Sequence, residues 1–179
     1  NKINFKKLLR WLLIFICFFK YEYKVDRGEY ISMNWKIKSF YDLTLDELYE
    51  ICKVRYEVFV CGQKIYQEND FDDVDKKVFH IFLEDEGKIV AYARLIPSGI
   101  TYDTAAIGRV LVLNEYRRKG IASELMKRSI EFIQKELKEN KITLSAQLYA
   151  KELYEKVGFK VISDVYEEVD IPHVKMILE

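Results

Sequence analysis

The segment Arg117-Arg118-Lys119-Gly120-Ile121-Ala122 decides how this 179-residue chain is interpreted. It stands between an apolar alternating run, 105–113, and a helical pattern of apolar residues, 122–137. In a strand–loop–helix unit, the loop N–H groups and the helix N-terminus point to one place, where both favour an anion. Gly120 has no Cβ and allows a close approach, and Ala122 keeps the first helical turn thin. The segment therefore predicts a pyrophosphate-binding loop; the alternative is a basic turn before an ordinary helix.

The composition favours one globular domain without a general affinity for nucleic acid. Half of the residues are hydrophobic and only two are proline, which argues against disorder. The 29 basic and 29 acidic residues balance, so net charge gives no reason to expect a nucleic-acid partner. Cys17, Cys52 and Cys61 have neither metal-binding nor redox spacing. They predict free thiols in a reducing, cytoplasmic compartment.

Residues 1–32 differ in composition from the rest of the chain. They carry seven Lys/Arg against three Asp/Glu, whereas the remainder carries 22 against 26. The apolar run 11–19 is about half as long as a bilayer crossing requires, and no small-residue cleavage site follows it. A membrane anchor and a degenerate signal are two interpretations, and the run could make a weak membrane contact.

The third interpretation, which we favour, is that residues 1–32 are not natively translated and that Met33 is the natural start. Codons for Arg27-Gly28-Glu29 can form a purine-rich ribosome-binding site shortly before Met33. The predicted organisation is therefore an N-terminal extension, 1–32, followed by one domain, 33–179. Mass spectrometry of the native N-terminus tests it.

From Met33 onward the apolar pattern predicts the order β-α-β-β-β-α-β-α-β-β, an α/β fold with a mixed sheet. The predicted strands are 35–40, 80–83, 88–96, 105–113, 142–146, 161–162 and 174–178, and the predicted helices are 45–59, 123–140 and 150–157. Thr44-Leu45-Asp46-Glu47 is a capping box that starts the first helix. Gly158 is expected to end the third helix. An acidic loop, 63–77, follows the first helix.

Four groups of motifs occur in a fixed order between residues 35 and 176. They are 48–60 with Gln63; Tyr66-Gln67-Glu68-Asn69-Asp70 with Asp72-Asp73 and His80; Ala91-Tyr92-Ala93-Arg94-Leu95 with Ile107-Gly108-Arg109-Val110; and Ala146-Gln147, Leu153-Tyr154, Gly158-Phe159, Tyr166-Glu167-Glu168 and Asp170-Ile171-Pro172-His173. With the R-x-x-G-x-A spacing of 117–122, this set resembles the ElaA-like branch of the GNAT N-acetyltransferases. The chain departs from the family at Cys61-Gly62, where members often carry Val-Glu. The resemblance implies the GNAT (acyl-CoA N-acyltransferase) fold, a mixed sheet flanked by helices.

The resemblance also implies that acetyl-CoA lies between two splayed parallel strands, whose unpaired backbone groups bind the pantetheine amides. The implied cofactor-binding residues are Arg109, Val110, Leu111, Val112, Arg117, Arg118, Lys119, Gly120, Ile121, Ala122 and Ser123. The phosphates are expected to be bound mainly by main-chain N–H groups. No metal is expected, because Asp70 and Asp72 lack the glycine and bidentate glutamate of a calcium loop.

The implied reaction is direct attack of a primary amine, on a small molecule or a polypeptide, on the thioester of acetyl-CoA. The departing thiolate needs a proton, and Tyr154 matches the family's usual tyrosine acid; a core aromatic is the alternative for this residue. Candidate bases are Glu57, Glu68, His80 and His173, and a water chain is the alternative.

The acidic loop suggests how an acceptor is attracted. Glu68, Asp70 and Asp72 are expected to draw in a cationic amine, although a merely solvated loop explains the same residues. Strand edges in this fold often pair, so a homodimer is a further expectation.

Three rival interpretations remain open. The stretch 55–59, Asp72-Asp73 and Ala93-Arg94-Leu95 also resemble acyl-homoserine-lactone synthases, but those enzymes lack the R-x-x-G-x-A loop. A non-catalytic acyl-CoA-binding or regulatory domain is disfavoured because Gly120 and Tyr154 are both present. A membrane-tethered interaction protein depends wholly on residues 1–32.

Overall fold

The computed structural model describes residues 20–24 and 30–179, and these residues form one nine-stranded mixed sheet. The strands are β1 (Lys20–Lys24), β2 (Tyr30–Ser39), β3 (Phe79–Asp85), β4 (Lys88–Ile96), β5 (Ala105–Val112), β6 (Ile142–Gln147), β7 (Lys160–Val161), β8 (Tyr166–Glu168) and β9 (Ile171–Leu178). Their order in the sheet is β1-β2-β3-β4-β5-β6-β9-β7, and β8 also pairs with β9. Only β5 and β6 are parallel among these described pairs.

Within the described residues, three α-helices cover the sheet: α1 (Leu45–Arg55), α2 (Ile121–Phe132) and α3 (Lys151–Glu155). Helices α1 and α2 lie on opposite faces. Lys36 of β2 bonds Glu47 of α1, whereas the neighbouring Trp35 contacts Arg128 of α2. Since successive residues of a strand point to opposite faces, the two contacts assign the helices to the two sides. The α/β architecture and the mixed sheet predicted from the sequence are confirmed.

The capping box at the start of α1 is present as predicted. The Glu47 N–H donates to Thr44 Oγ1 at 3.1 Å, and the Thr44 N–H donates to Glu47 Oε2 at 2.9 Å. Glu47 also forms ion pairs with Lys36 and Lys38 of β2, at 3.1 and 2.7 Å. A cap of this kind stabilises a helix by about 1 kcal/mol, and the ion pairs fix its first turn to the sheet.

The prediction that regular helix continues through Phe59 is wrong. After Arg55 the chain passes into a π-helix, Tyr56–Gly62, which ends where the Gln63 N–H donates to the Val58 carbonyl at 3.0 Å. The second helix behaves similarly, since α2 passes into a π-helical segment, Ile133–Leu137. Apolar spacing fits both forms of helix over so few residues, and the sequence therefore does not distinguish them.

The sheet contains two strands that the sequence did not predict, β1 and β8, and two strands that begin earlier than predicted, β2 and β9. Strand β2 begins at Tyr30, and its residues 30–34 pair with β1. Strand β9 begins at Ile171 and forms a hairpin with the unpredicted β8, through a turn in which Val169 and Asp170 have φ values of 51° and 58°. Acidic residues and a proline hide these short strands from pattern analysis. The division at residue 33 stays a prediction, and the apolar run 11–19 lies outside the described residues.

Candidate active site

The parallel strands β5 and β6 diverge after two residues of pairing. Their ladder contains Ala105 opposite Ile142 and Ala106 opposite Thr143, and no further pair is formed within the described strands. We call the space between the diverging halves of β5 and β6 the wedge. Backbone N–H and C=O groups that face it are available to a ligand amide.

A bulge in β5 produces this divergence. Arg94 of β4 pairs with Gly108, and Tyr92 pairs with Leu111, so that Ala93 faces both Arg109 and Val110. Arg109 has φ 53°, in the left-handed region that non-glycine residues rarely adopt. A bulge with two residues opposite one bends its strand and ends pairing. The bend therefore directs β5 away from β6.

At its far end β5 leads to the loop that precedes α2. After the turn Asn114–Tyr116 the chain is exposed from Arg117 to Gly120, and α2 begins at Ile121. Gly120 has φ 78°, which glycine adopts without strain, and no side chain caps the helix. The first N–H groups of a helix have no intrahelical acceptor and carry the positive end of its dipole. This end of the wedge is suited to an anion.

Side-chain contacts of Tyr116, Lys119 and Arg117 hold the loop. The Tyr116 hydroxyl donates to Asp85 Oδ2 at 2.6 Å, and this hydrogen bond raises the pKa of Tyr116 to about 12. Lys119 Nζ lies 5.0 Å from the centre of the Tyr116 ring. Arg117 Nε donates to the Val112 carbonyl at 2.9 Å. The β3–β4 turn and the end of β5 thus fix the loop on both sides.

Tyr154, the predicted acid, lies on α3 and is buried, with 7% of its surface exposed. Its ring packs edge-on against Phe159, with centroids 6.3 Å apart. Burial, with a smaller contribution from nearby Tyr149, raises the pKa of Tyr154 above its ordinary value. The phenol therefore keeps its proton throughout the neutral range. The chain after α3 turns at Gly158, as predicted, with φ 101°.

His173, a predicted base, lies on β9 directly opposite Gln147 of β6. Its Nδ1 is 2.7 Å from the Ile171 carbonyl, and its ring stacks on Tyr166. A carbonyl oxygen can only accept, so Nδ1 carries the hydrogen and Nε2 of the neutral ring carries the lone pair. This tautomer is the one that a base acting through Nε2 requires.

His80, the other predicted histidine base, is enclosed under the acidic loop with 1% of its surface exposed. Nε2 donates to the Asp75 carbonyl at 3.0 Å, and Nδ1 accepts from the Tyr92 hydroxyl at 2.8 Å. Both ring nitrogens are thus engaged by the protein. Burial lowers the pKa of His80 and outweighs the opposing hydrogen bond to Asp75. This arrangement favours a structural role.

We expect His80 to make folding stability fall in mild acid. The unfolded chain binds a proton near pH 6.5, whereas the folded chain holds His80 neutral, so unfolding becomes more favourable as the pH falls below that value. Urea unfolding at pH 7, 6 and 5 measures this trend. His80→Gln should show a smaller decrease than the wild type over that interval; equal decreases would contradict the assignment.

Three carboxylates of the acidic loop, Asp70, Asp72 and Asp75, are held by arginines. Arg55 Nε bonds Asp70 Oδ2 at 2.8 Å, and its Nη2 also donates to the Asp70 carbonyl. Four further ion pairs complete the cluster: Arg55 Nη1 to Asp75 at 2.8 Å, Arg94 Nη1 to Asp72 at 2.7 Å and to Asp75 at 3.1 Å, and Arg109 Nε to Asp70 Oδ1 at 2.6 Å. Partial burial opposes ionisation of Asp72, but the Arg94 hydrogen bond prevails and lowers its pKa. Of the three predicted acceptor-attracting carboxylates, Glu68 is the exposed one.

A pair of glutamines, not predicted from the sequence, lies at the end of β6. Gln63 Nε2 donates to Gln147 Oε1 at 3.0 Å, and Gln147 Nε2 donates to Gln63 Oε1 at 3.1 Å. Gln63 Nε2 is also 3.3 Å from the hydroxyl of Tyr149. The π-helix Tyr56–Gly62 carries the exposed Glu57 and is followed directly by Gln63.

The structure therefore separates the predicted catalytic residues. His173 and the residues around Tyr154 lie at the end of β6, whereas His80 lies within the arginine cluster. One signal could have revealed that cluster: arginines at 94 and 109 stand in apolar strand patterns, and a buried arginine requires a carboxylate partner. The glutamine pair has no comparable signal.

A membrane-spanning helix and a metal-binding group are both absent from the part of the chain that the structure describes. No helix there combines the length and apolar character that a membrane crossing requires. No group of three His, Cys, Asp or Glu side chains there is arranged to hold a metal ion.

Comparison with known proteins agrees with this geometry. The family described as "Acetyltransferase (GNAT) domain" matches residues 49–179. The UPF0039 protein C11D3.02c of Schizosaccharomyces pombe is 43% identical over 151 residues, which cover 83% of this chain and 98% of that protein. Protein ElaA of Escherichia coli is 31% identical over 82% of this chain and 97% of its own length.

Solved structures give the same result. The crystal structure of E. coli ElaA matches 81% of this chain and 99% of its own, with a TM-score of 0.75. An acyl-CoA N-acyltransferase from Pseudomonas aeruginosa is 33% identical, with the same coverage and a TM-score of 0.76. The chain therefore belongs to the GNAT family of acyltransferases. Within that family it resembles the ElaA-like proteins.

Proposed function

We propose that this protein is an acetyl-CoA-dependent N-acetyltransferase that acts on a primary amine by direct attack. The observation that carries the proposal is the wedge between β5 and β6, which leads to the uncapped N-terminus of α2 at Gly120. Pantetheine amides would bind the backbone of 109–112, and the pyrophosphate would bind the N–H groups of 120–123. An extended thioester would lie along β5, and a compact anion would lie where the chain after β5 enters α2.

In the proposed reaction, the amine nitrogen bonds to the thioester carbon, and the carbon–sulfur bond then breaks. The sulfur takes its proton from the Tyr154 hydroxyl. Burial raises the pKa of this phenol and therefore makes it a weaker acid. The same dry surroundings raise the proton affinity of the thiolate, so the difference between the two pKa values changes little.

We propose His173 as the group that removes the amine proton, through Nε2 or an intervening water, since its Nδ1 is fixed by the Ile171 carbonyl. Glu57, on the π-helix, and Glu68, in the acidic loop, are exposed carboxylates and would attract a cationic acceptor. His80 is retained for structure, because the protein engages both of its ring nitrogens.

Calorimetric titration of acetyl-CoA and of free CoA into the full chain tests the cofactor, and a panel of amines with a thiol-release assay tests turnover. Binding and turnover would support the proposal. Binding without turnover on polyamines, amino acids and peptide N-termini would favour the non-catalytic alternative. Absence of binding by folded protein would overturn the proposal.

A further inference from the structure

The first half of the acidic loop, residues 63–70, is bonded at each end to one of the two diverging strands, β6 and β5. At one end, Gln63 exchanges two hydrogen bonds with Gln147 of β6. At the other end, Asp70 accepts from Arg109 of β5 at 2.6 Å. Since β5 and β6 part between these points, residues 63–70 cross from one side of the wedge to the other.

We propose that residues 63–70 form a strap across the wedge, and that Arg109–Asp70 and Gln63–Gln147 are positioning contacts that set the wedge width. The kinetic part of this proposal rests on the proposed acetyl transfer. The strap would form the wall between the acyl donor and the acceptor. Its exposed residues, Tyr66, Gln67 and Glu68, would face the incoming amine.

The Arg109 end is fixed to the interior of the protein. Asp70 offers one oxygen to Arg109 and the other to Arg55. Arg55 has 1% of its surface exposed and is held in turn by Asp75. A carboxylate bound on both oxygens has little freedom to follow a moving partner. Asp70 therefore fixes the position of the Arg109 guanidinium.

Fixing that guanidinium also stabilises the bulge. Arg109 has a left-handed backbone, φ 53°, which an L-residue adopts only when its surroundings compensate. The ion pair to Asp70 is a tertiary contact of this bulge residue's side chain. Without it, we expect the bulge to relax and β5 to move towards regular pairing with β6, which would narrow the wedge.

The Gln63 end depends on the π-helix before it. The Gln63 N–H closes that helix on the Val58 carbonyl at 3.0 Å, and the wider turn brings the side-chain amide to Gln147. The reciprocal amide pair fixes both side chains in one orientation, since within the pair each amide donates once and accepts once. The strap thus starts from a defined point on β6.

Limited proteolysis tests the strap without any substrate. Lys64 is the basic residue of 63–70 and is exposed, so trypsin can report on strap opening through cleavage there. Arg109→Met removes the ion pair, Arg109→Lys retains a cation for Asp70, and Asp73→Asn removes a surface carboxylate that pairs with Lys76 outside the strap. We expect cleavage after Lys64 to be faster by about tenfold in Arg109→Met and close to wild type in the other two.

Steady-state kinetics on the same variants tests positioning. Arg109→Met should raise KM for acetyl-CoA by about tenfold and also lower kcat, and Arg109→Lys should restore most of both. Unchanged cleavage in Arg109→Met would overturn the strap. Faster cleavage with unchanged KM and kcat would overturn its positioning role.

Two further outcomes keep the test decisive. If Arg109→Met does not fold, Gln147→Leu releases the other end and is read by the same cleavage. If the wild type does not bind acetyl-CoA, the proposed function fails, and cleavage after Lys64 alone decides whether residues 63–70 are fastened as proposed.

Discussion

Replacement of Gly120 by glutamate should abolish measurable acetyl-CoA binding, with an affinity at least about 100-fold below wild type. The new carboxylate would stand at the uncapped start of α2, where the pyrophosphate is proposed to bind. Juxtaposed like charges cost several kcal/mol, and each 1.4 kcal/mol is tenfold in affinity. Calorimetric titration with acetyl-CoA and CoA measures the loss.

Two matched variants separate charge from backbone strain. Gly120→Ala adds a Cβ at φ 78° without charge. We expect the free loop to relax from this conformation and to regain it on binding, which should weaken binding by about tenfold, since an L-residue in the left-handed region costs roughly 1–2 kcal/mol. Arg118→Ala removes an exposed cation and should have a smaller effect, because main-chain groups supply most of the binding. Equal affinity of Gly120→Glu and wild type would remove the pyrophosphate assignment.

The second large effect is expected for Tyr154→Phe. General acid catalysis contributes roughly 10²–10⁴-fold, so kcat should fall by at least about 100-fold. The affinity for acetyl-CoA and the free energy of unfolding should change little, because the ring packing against Phe159 is retained. Initial rates of thiol release, with an amine on which the wild type turns over, give the comparison.

The pH profile adds an independent check. Burial raises the pKa of Tyr154 above its ordinary value, so the phenol keeps its proton over the alkaline range in which the amine loses its own. The wild-type rate should therefore not decline up to about pH 9.5. Tyr102→Phe is a matched control, because it removes a half-buried hydroxyl beside the separate cluster of Val78 and Ile96. Turnover by Tyr154→Phe within twofold of wild type would leave Tyr154 as a core aromatic.

Local patterns predicted the elements that local physics determines. The capping box at Thr44 and Glu47, the turn at Gly158 and the glycine before α2 are all present, because each depends on residues within four positions along the chain. The apolar patterns placed the central strands β3, β4, β5 and β6 close to their observed bounds. The mixed sheet followed from the order of these elements.

Contacts between distant residues explain what the sequence could not supply. The bulge at Arg109 is stabilised by Asp70, 39 residues earlier, and strand periodicity carries no trace of it. The acidic loop could be interpreted as an open, cation-attracting surface because its arginine partners come from α1, β4 and β5. The glutamine pair joins residues 84 positions apart. Folding alone brings such residues together.

The acidic loop contains both buried or half-buried ion-paired residues and exposed residues, and this difference decides which of its positions can vary. Asp70, Asp72 and Asp75 are committed to the scaffold, so changes there would disturb folding. Tyr66, Gln67 and Glu68 are exposed between two fixed points, and surface substitutions of this kind usually alter stability little. A combinatorial library limited to these three positions would therefore sample new acceptor preferences while keeping the fold intact, and natural drift has the same freedom.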